Sequence, residues 1–156
     1  MTVHDILVPL GGSGRAATVL LHVASLASST GARVHLLRAV ERRIGGVHHL
    51  AVREAEEYVA GVADRLRAKG VAELSTSVWE GSAVRAIVEA AQRERADLIV
   101  MTTHGRGRLA HLLFGSVAES VVRATTVPVL LLRPADSRAH PPAGSHARLV
   151  SRSGAP

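Results

Sequence analysis

The residues best suited to chemistry in this chain lie between Asp97 and Arg133, DLIVMTTHGRGRLAHLLFGSVAESVVRATTVPVLLLR. An apolar run leads into a basic loop carrying Gly105 and Gly107, and a helix is expected to open at Gly115-Ser116 before a second apolar run. Glycine lets backbone approach a ligand closely, and a helix start presents N–H groups that have no partner inside the helix, an arrangement suited to phosphate. Ser116 and Glu119 also read as S-x-x-E, a capping box that stabilises a helix with no ligand at all, and the two roles are compatible. A second glycine-rich loop, Leu10–Gly14 (LGGSG), follows the apolar run Asp5–Pro9.

Placing both loops requires the elements around them. Apolar runs predict strands over Asp5–Pro9, Arg33–Val40, Glu73–Trp79, Asp97–Thr102 and Val127–Leu132. Helical spacing predicts helices over Arg15–Ala27, Val47–Lys69 (stopping at Gly70), Ser82–Arg95 (with Ser82 as N-cap) and Ser116–Ala124. Strands separated by helices predict an α/β fold: a doubly wound parallel sheet with helices on both faces and right-handed crossovers, Rossmann-like. Ligands of such sheets bind beyond the carboxyl ends of the strands, where strand order reverses. The two glycine-rich loops line one crevice if the five strands run in the order 3-2-1-4-5. From Ala135 onward the periodicity ends, so residues 1–134 are expected to form one domain and 135–156 a disordered tail rich in Pro, Gly, Ser and Ala.

Composition narrows the function classes. The 156 residues, 47% of them hydrophobic, suffice for one domain with a core, and the lack of cysteine removes disulfides and thiolate metal sites. No signal peptide or membrane-spanning run is recognised, so a cytoplasmic protein without membrane partners is expected. The net charge of +6 is spread among acidic residues, and only Tyr58, Trp79 and Phe114 are aromatic, which argues against a nucleic-acid surface. His48-His49 are adjacent on a helix start, with side chains about 100° apart, unlike metal ligands at i, i+4. His104 has no base, nucleophile or carboxylate beside it in its loop, so no catalytic residue and no metal site is assigned. Arg106 is a candidate phosphate contact through arginine's affinity for phosphate, the alternative being a solvated loop cation.

Two other nucleotide motifs bear on this reading. Gly12-Ser13-Gly14-Arg15-Ala16-Ala17 satisfies G-x-G-x-x-A, with Glu41 where a ribose-binding acid would stand, which is a dinucleotide fingerprint. Pro9 before the loop, the lack of room for a second domain, and the unexplained second loop count against it. No G-x-x-x-x-G-K-[ST] occurs, and the one lysine, Lys69, is far from either loop in sequence, which excludes a Walker A site.

The pattern His104-Gly105, then nine residues Arg106 to Phe114, then Gly115-Ser116, Val117-Ala118-Glu119 and Val127-Pro128-Val129 resembles the C-terminal signature of the universal stress protein family. Ile6–Ser13 (ILVPLGGS) resembles the family's opening strand, and Gly81 with Ala83 and Ile87 the start of its third helix. The resemblance runs from about Asp5 to Arg133. It implies the five-stranded doubly wound fold, a homodimer through the strand at 127–132, and, in one subgroup, ATP, with or without Mg²⁺, at the switch point. It further implies a phosphate cradle of Thr102, His104, Gly105, Gly115, Ser116 and Val117, and an adenosine end formed by Pro9, Leu10, Gly11 and Ala39. Two positions depart from the pattern: Thr102 replaces its first glycine, and Gly11 replaces the opening loop's aspartate. The implied role is stress response or signalling, with slow hydrolysis at most. A dimeric interaction module without nucleotide stands as the alternative.

Overall fold

The computed structural model describes residues 2–11, 16–42, 47–102 and 116–132. The chain alternates β1 (Asp5–Pro9), α1 (Ala16–Thr30), β2 (Arg33–Val40), α2 (Val47–Ala68), β3 (Leu74–Glu80), α3 (Ala83–Arg93), β4 (Leu98–Thr102), α4 (Ser116–Ala124) and β5 (Val129–Leu132). The five strands form one sheet in the order β3-β2-β1-β4-β5. All four pairings are parallel, with Ile6 opposite Val34 on one side and Leu98 on the other. This is the doubly wound α/β fold expected from the alternation of apolar runs and helical periods.

Strand side chains alternate between the two faces, and each face meets its own helices. Ile6, Val8, Val34, Leu36, Leu98 and Val100 pack with Val19, Leu20 and Val23 of α1 and Val59, Val62 and Leu66 of α2. Leu7, Leu37, Ile99 and Met101 pack with Ala86, Ile87 and Ala90 of α3 and Ala118 and Val121 of α4. Burial on both faces is why the central strands read as unbroken apolar runs.

The ends of the elements differ from the expected bounds for local reasons. Helix α1 runs on to Thr30, where the hydroxyls of Ser29 and Thr30 donate to the Leu26 carbonyl at 2.9 and 2.8 Å. Helix α2 ends as expected before Gly70, whose φ of 91° reverses the chain. Helix α3 is shorter than Ser82–Arg95. Arg95 takes the left-handed conformation (φ 53°), and the Ala96 N–H closes back on the Ala91 carbonyl at 2.9 Å. Ser82 stands at the N-cap position with extended backbone, but its hydroxyl makes no capping bond; its carbonyl accepts from Ala86 N–H at 3.0 Å.

On the first turn of α4 the Glu119 carboxylate accepts from Arg123, one turn further on, at 2.9 Å. Strand β3 is shifted one residue later than Glu73–Trp79. Strand β5 starts later than Val127, whose N–H is held by the Thr125 hydroxyl at 3.1 Å.

At the amino-terminal end of the sheet, Asp97 fixes β1 against β4. Its carboxylate accepts from the backbone N–H groups of His4 (2.8 Å) and Asp5 (3.0 Å), and these two bonds hold its pKa below the usual carboxylate value. Arg33 of β2 pairs with Asp5 at 2.7 Å. The opposite, carboxyl end of the sheet is left for the loops.

Candidate functional site

Strand order reverses at β1, which has β2 on one side and β4 on the other. Beyond the carboxyl ends of these strands lies a cavity of about 260 Å³. Its walls are Pro9, Leu10 and Gly11 after β1, Leu37, Arg38 and Ala39 of β2, Ala83 and Ile87 of α3, Met101 and Thr102 of β4, and Val117 and Ala118 of α4. Gly81 sets one wall: with φ at 116°, it turns the chain sharply from β3 into α3 while its N–H bonds to the Val40 carbonyl at 2.8 Å. Ala83 and Ile87 then lie one helical turn apart over the crevice.

The first residues of the β1–α1 loop are held from several directions. Leu10 N–H donates to the Leu37 carbonyl at 2.7 Å, which carries the sheet ladder past Pro9. From the α2 side, the Arg38 guanidinium donates to the Leu10 carbonyl at 2.9 Å and lies 5.6 Å from the centre of the Tyr58 ring. The Tyr58 hydroxyl reaches the Gly11 carbonyl at 3.5 Å. Gly11 does not have positive φ, and a Cβ built there meets nothing within 4 Å, so its lack of a side chain leaves open space.

The structure therefore brings Pro9, Leu10, Gly11, Ala39, Thr102 and Val117 around one cavity, and Ser116 precedes Val117 as the first residue of α4. His104, Gly105, Arg106 and Gly115 lie outside the described residues, as do Gly12, Ser13, Gly14 and Arg15 of the dinucleotide motif and the tail 135–156. Leu37, Arg38, Met101 and Ala118 were not singled out from the sequence. The signal for Leu37 was present, since it shares a strand face with Ala39. Arg38 also had one, as a charge inside the apolar run LLRAV.

A second polar cluster joins β2 to β3. The two ring nitrogens of His35 are engaged by the hydroxyls of Ser75 (2.7 Å) and Ser77 (2.8 Å), and Trp79 Nε1 donates to Ser77 at 3.1 Å. Burial pushes the His35 pKa below its ordinary value, with Arg93 adding to that effect and Glu94 opposing it. These bonds satisfy the imidazole as a cross-strand tie between β2 and β3. At the other end of β3, Glu80 accepts from His48 at 3.1 Å, joining the start of α2 to the sheet. Among the described residues no group of His, Cys, Asp or Glu is placed to hold a metal ion, and no helix is long and apolar enough to cross a membrane.

The sequence pattern of the universal stress protein family matches residues 2–133. The chain belongs to the universal stress protein family. A universal stress protein of Methanocaldococcus jannaschii is 30% identical over 138 residues, covering 82% of this chain and 81% of its own length. One from Thermus aquaticus is 32% identical over 133 residues, covering 82% of this chain and 97% of its own. Among solved structures, a universal stress protein from Archaeoglobus fulgidus in complex with dAMP superposes with a TM-score of 0.66 at 26% identity, covering 84% of this chain and 98% of that one. The family match and the strand order agree on one architecture, with the cavity at its switch point.

Proposed function

We propose that this universal stress protein binds an adenine nucleotide, with ATP as the reference ligand, in the cavity at the carboxyl ends of β1, β2 and β4, and that occupancy serves stress response or signalling. The observation that carries this reading is the single cavity shared by Pro9, Leu10, Gly11, Ala39, Thr102 and Val117. These come from separate parts of the chain, yet they are the residues assigned to the two ends of a nucleotide. Ile87, Ala83, Ala39 and Met101 supply apolar surface for a base. The Leu10 and Gly11 backbone is then beside the ribose, and the N–H groups opening α4 at Ser116 and Val117 take phosphate. Small-molecule sites occupy about 300–1,000 Å³, so a cavity of about 260 Å³ suits the nucleoside, with phosphates extending past Thr102 toward α4. The dAMP complex of the Archaeoglobus relative supports the ligand class. Where Mg²⁺ accompanies ATP it neutralises the phosphates, and this chain's part is to bind and orient the nucleotide.

Calorimetry on the full chain with ATP, AMP and NAD, with and without Mg²⁺, tests the reading. ATP is expected to bind in the micromolar range, about −8 kcal/mol. No heat and no thermal shift at saturating ATP would remove it and favour the dimeric interaction module, which the lack of a carboxylate at Gly11 supports. Preference for NAD would favour the dinucleotide motif. Assembly is proposed as a two-fold dimer through β5, an edge strand of the sheet.

A further inference from the structure

We propose that Arg38 is a positioning residue of this nucleotide site, holding the Leu10-Gly11 backbone from the far side of the sheet and tuning the site toward ligands that carry negative charge. The proposal rests on the nucleotide reading above. By strand alternation Arg38 shares the face of Val34 and Leu36, which is packed beneath α1 and α2. A guanidinium there is costly unless its donors are satisfied. They are satisfied only in part: one nitrogen donates to the Leu10 carbonyl at 2.9 Å, whereas Nε is buried without a hydrogen-bond partner among the described residues.

Glu41 and Glu54 line the same open depression of about 450 Å³ between β2 and α2, yet no ion pair forms between either and Arg38 among the described residues. The cation rests instead against the Tyr58 ring. A side chain selected for packing at this position would be apolar, because removing the charge removes the orphan donor. What Arg38 does make is a bond to the first loop carbonyl after β1, and it borders the 260 Å³ cavity as well as the depression behind it. Gly11, the next residue, contributes no carboxylate to offset the positive field. Arg38 therefore fixes a wall of the site and makes that wall electropositive.

Calorimetry on the full chain with ATP, AMP and adenosine, using Arg38→Gln and Arg38→Lys, separates these effects from simple packing. Gln keeps a donor without charge; Lys keeps charge without the planar fork. Arg38→Gln is expected to weaken ATP about tenfold and adenosine no more than about threefold, with AMP between them. Arg38→Lys is expected to retain the wild-type ratio of ATP to adenosine affinity. Equal losses for all three ligands in Arg38→Gln, or no loss, would overturn the charge role. If Arg38→Gln fails to fold by circular dichroism, a changed ratio in folded Arg38→Lys overturns it instead. Wild-type protein that binds none of the ligands removes the nucleotide reading and this inference with it; wild-type binding with unresponsive variants removes the inference alone.

Discussion

At the scale of single residues, Gly11 and Arg38 define what is particular to this chain's cavity. Aspartate at position 11 would offer ribose hydroxyls an acceptor that glycine lacks, and the backbone permits it. Among the described glycines positive φ belongs to Gly31, Gly70 and Gly81, and a Cβ at Gly11 meets open space. The left-handed geometry that would penalise a side chain here is absent. Gly11→Asp is therefore expected to fold normally and to tighten ATP by about tenfold relative to inorganic triphosphate, the scale of one hydrogen bond to a charged group. The comparison with triphosphate isolates the ribose, and Gly11→Asn as a control keeps hydrogen-bonding capacity without adding charge near the phosphates. Folded variants that show no gain for ATP over triphosphate would place the ribose elsewhere. Thr102 is a milder departure, since a β-branched residue suits a strand end and its hydroxyl remains able to donate.

At the scale of elements, the tie between β2 and β3 predicts a pH effect on stability. His35 has its pKa lowered from 6.5 by burial, so the unfolded chain binds a proton there before the folded chain does. Stability from this group is present above pH 6.5 and is lost as pH falls through the window between 6.5 and the lower folded value. Asp97 acts in a separate range, because its contribution is lost only below its ordinary value of 3.8. Denaturant unfolding at about pH 7.5 and about pH 5.5 should show a larger acid loss for wild type than for His35→Gln; equal losses would exclude His35 as the source. The same elements show what the sequence made legible. Strands β1 and β2 and helix α4 match their expected bounds because apolar runs, helical period and turn residues mark the ends. Edge strands β3 and β5 have one neighbour each, so their limits follow local bonds such as Val127 to Thr125 rather than an apolar pattern. Pro9, Leu10, Gly11, Ala39, Thr102 and Val117 were legible through family resemblance. Arg38, Met101 and Ala118 become wall residues only through the packing of β2, β4 and α4, which no short stretch of sequence encodes.

At the scale of the whole molecule, the sheet has two edges, β3 and β5, and their chemistry differs. Strand β3 carries Ser75, Thr76, Ser77 and Glu80, whereas β5 reads VLLL. A short apolar edge invites pairing with a second copy, and two-fold pairing satisfies both copies with one surface. Val129 and Leu131 are poor probes of such pairing, because they pack against the cluster formed with α3 and α4, and lysine there would disrupt the fold. Leu130 points to the other face and is 40% exposed, so lysine at this position keeps the core while placing charge on the pairing strand. Leu21 of α1 is 59% exposed and provides the control, since it too is an exposed leucine but lies on a helix. Sedimentation of the full chain is expected to show a dimer, weakened about tenfold or more by Leu130→Lys through desolvation of the new charge, and unchanged by Leu21→Lys. A monomeric wild type would refute the two-fold assembly. A dimer that tolerates Leu130→Lys and yields to Leu21→Lys would move the interface from β5 to α1.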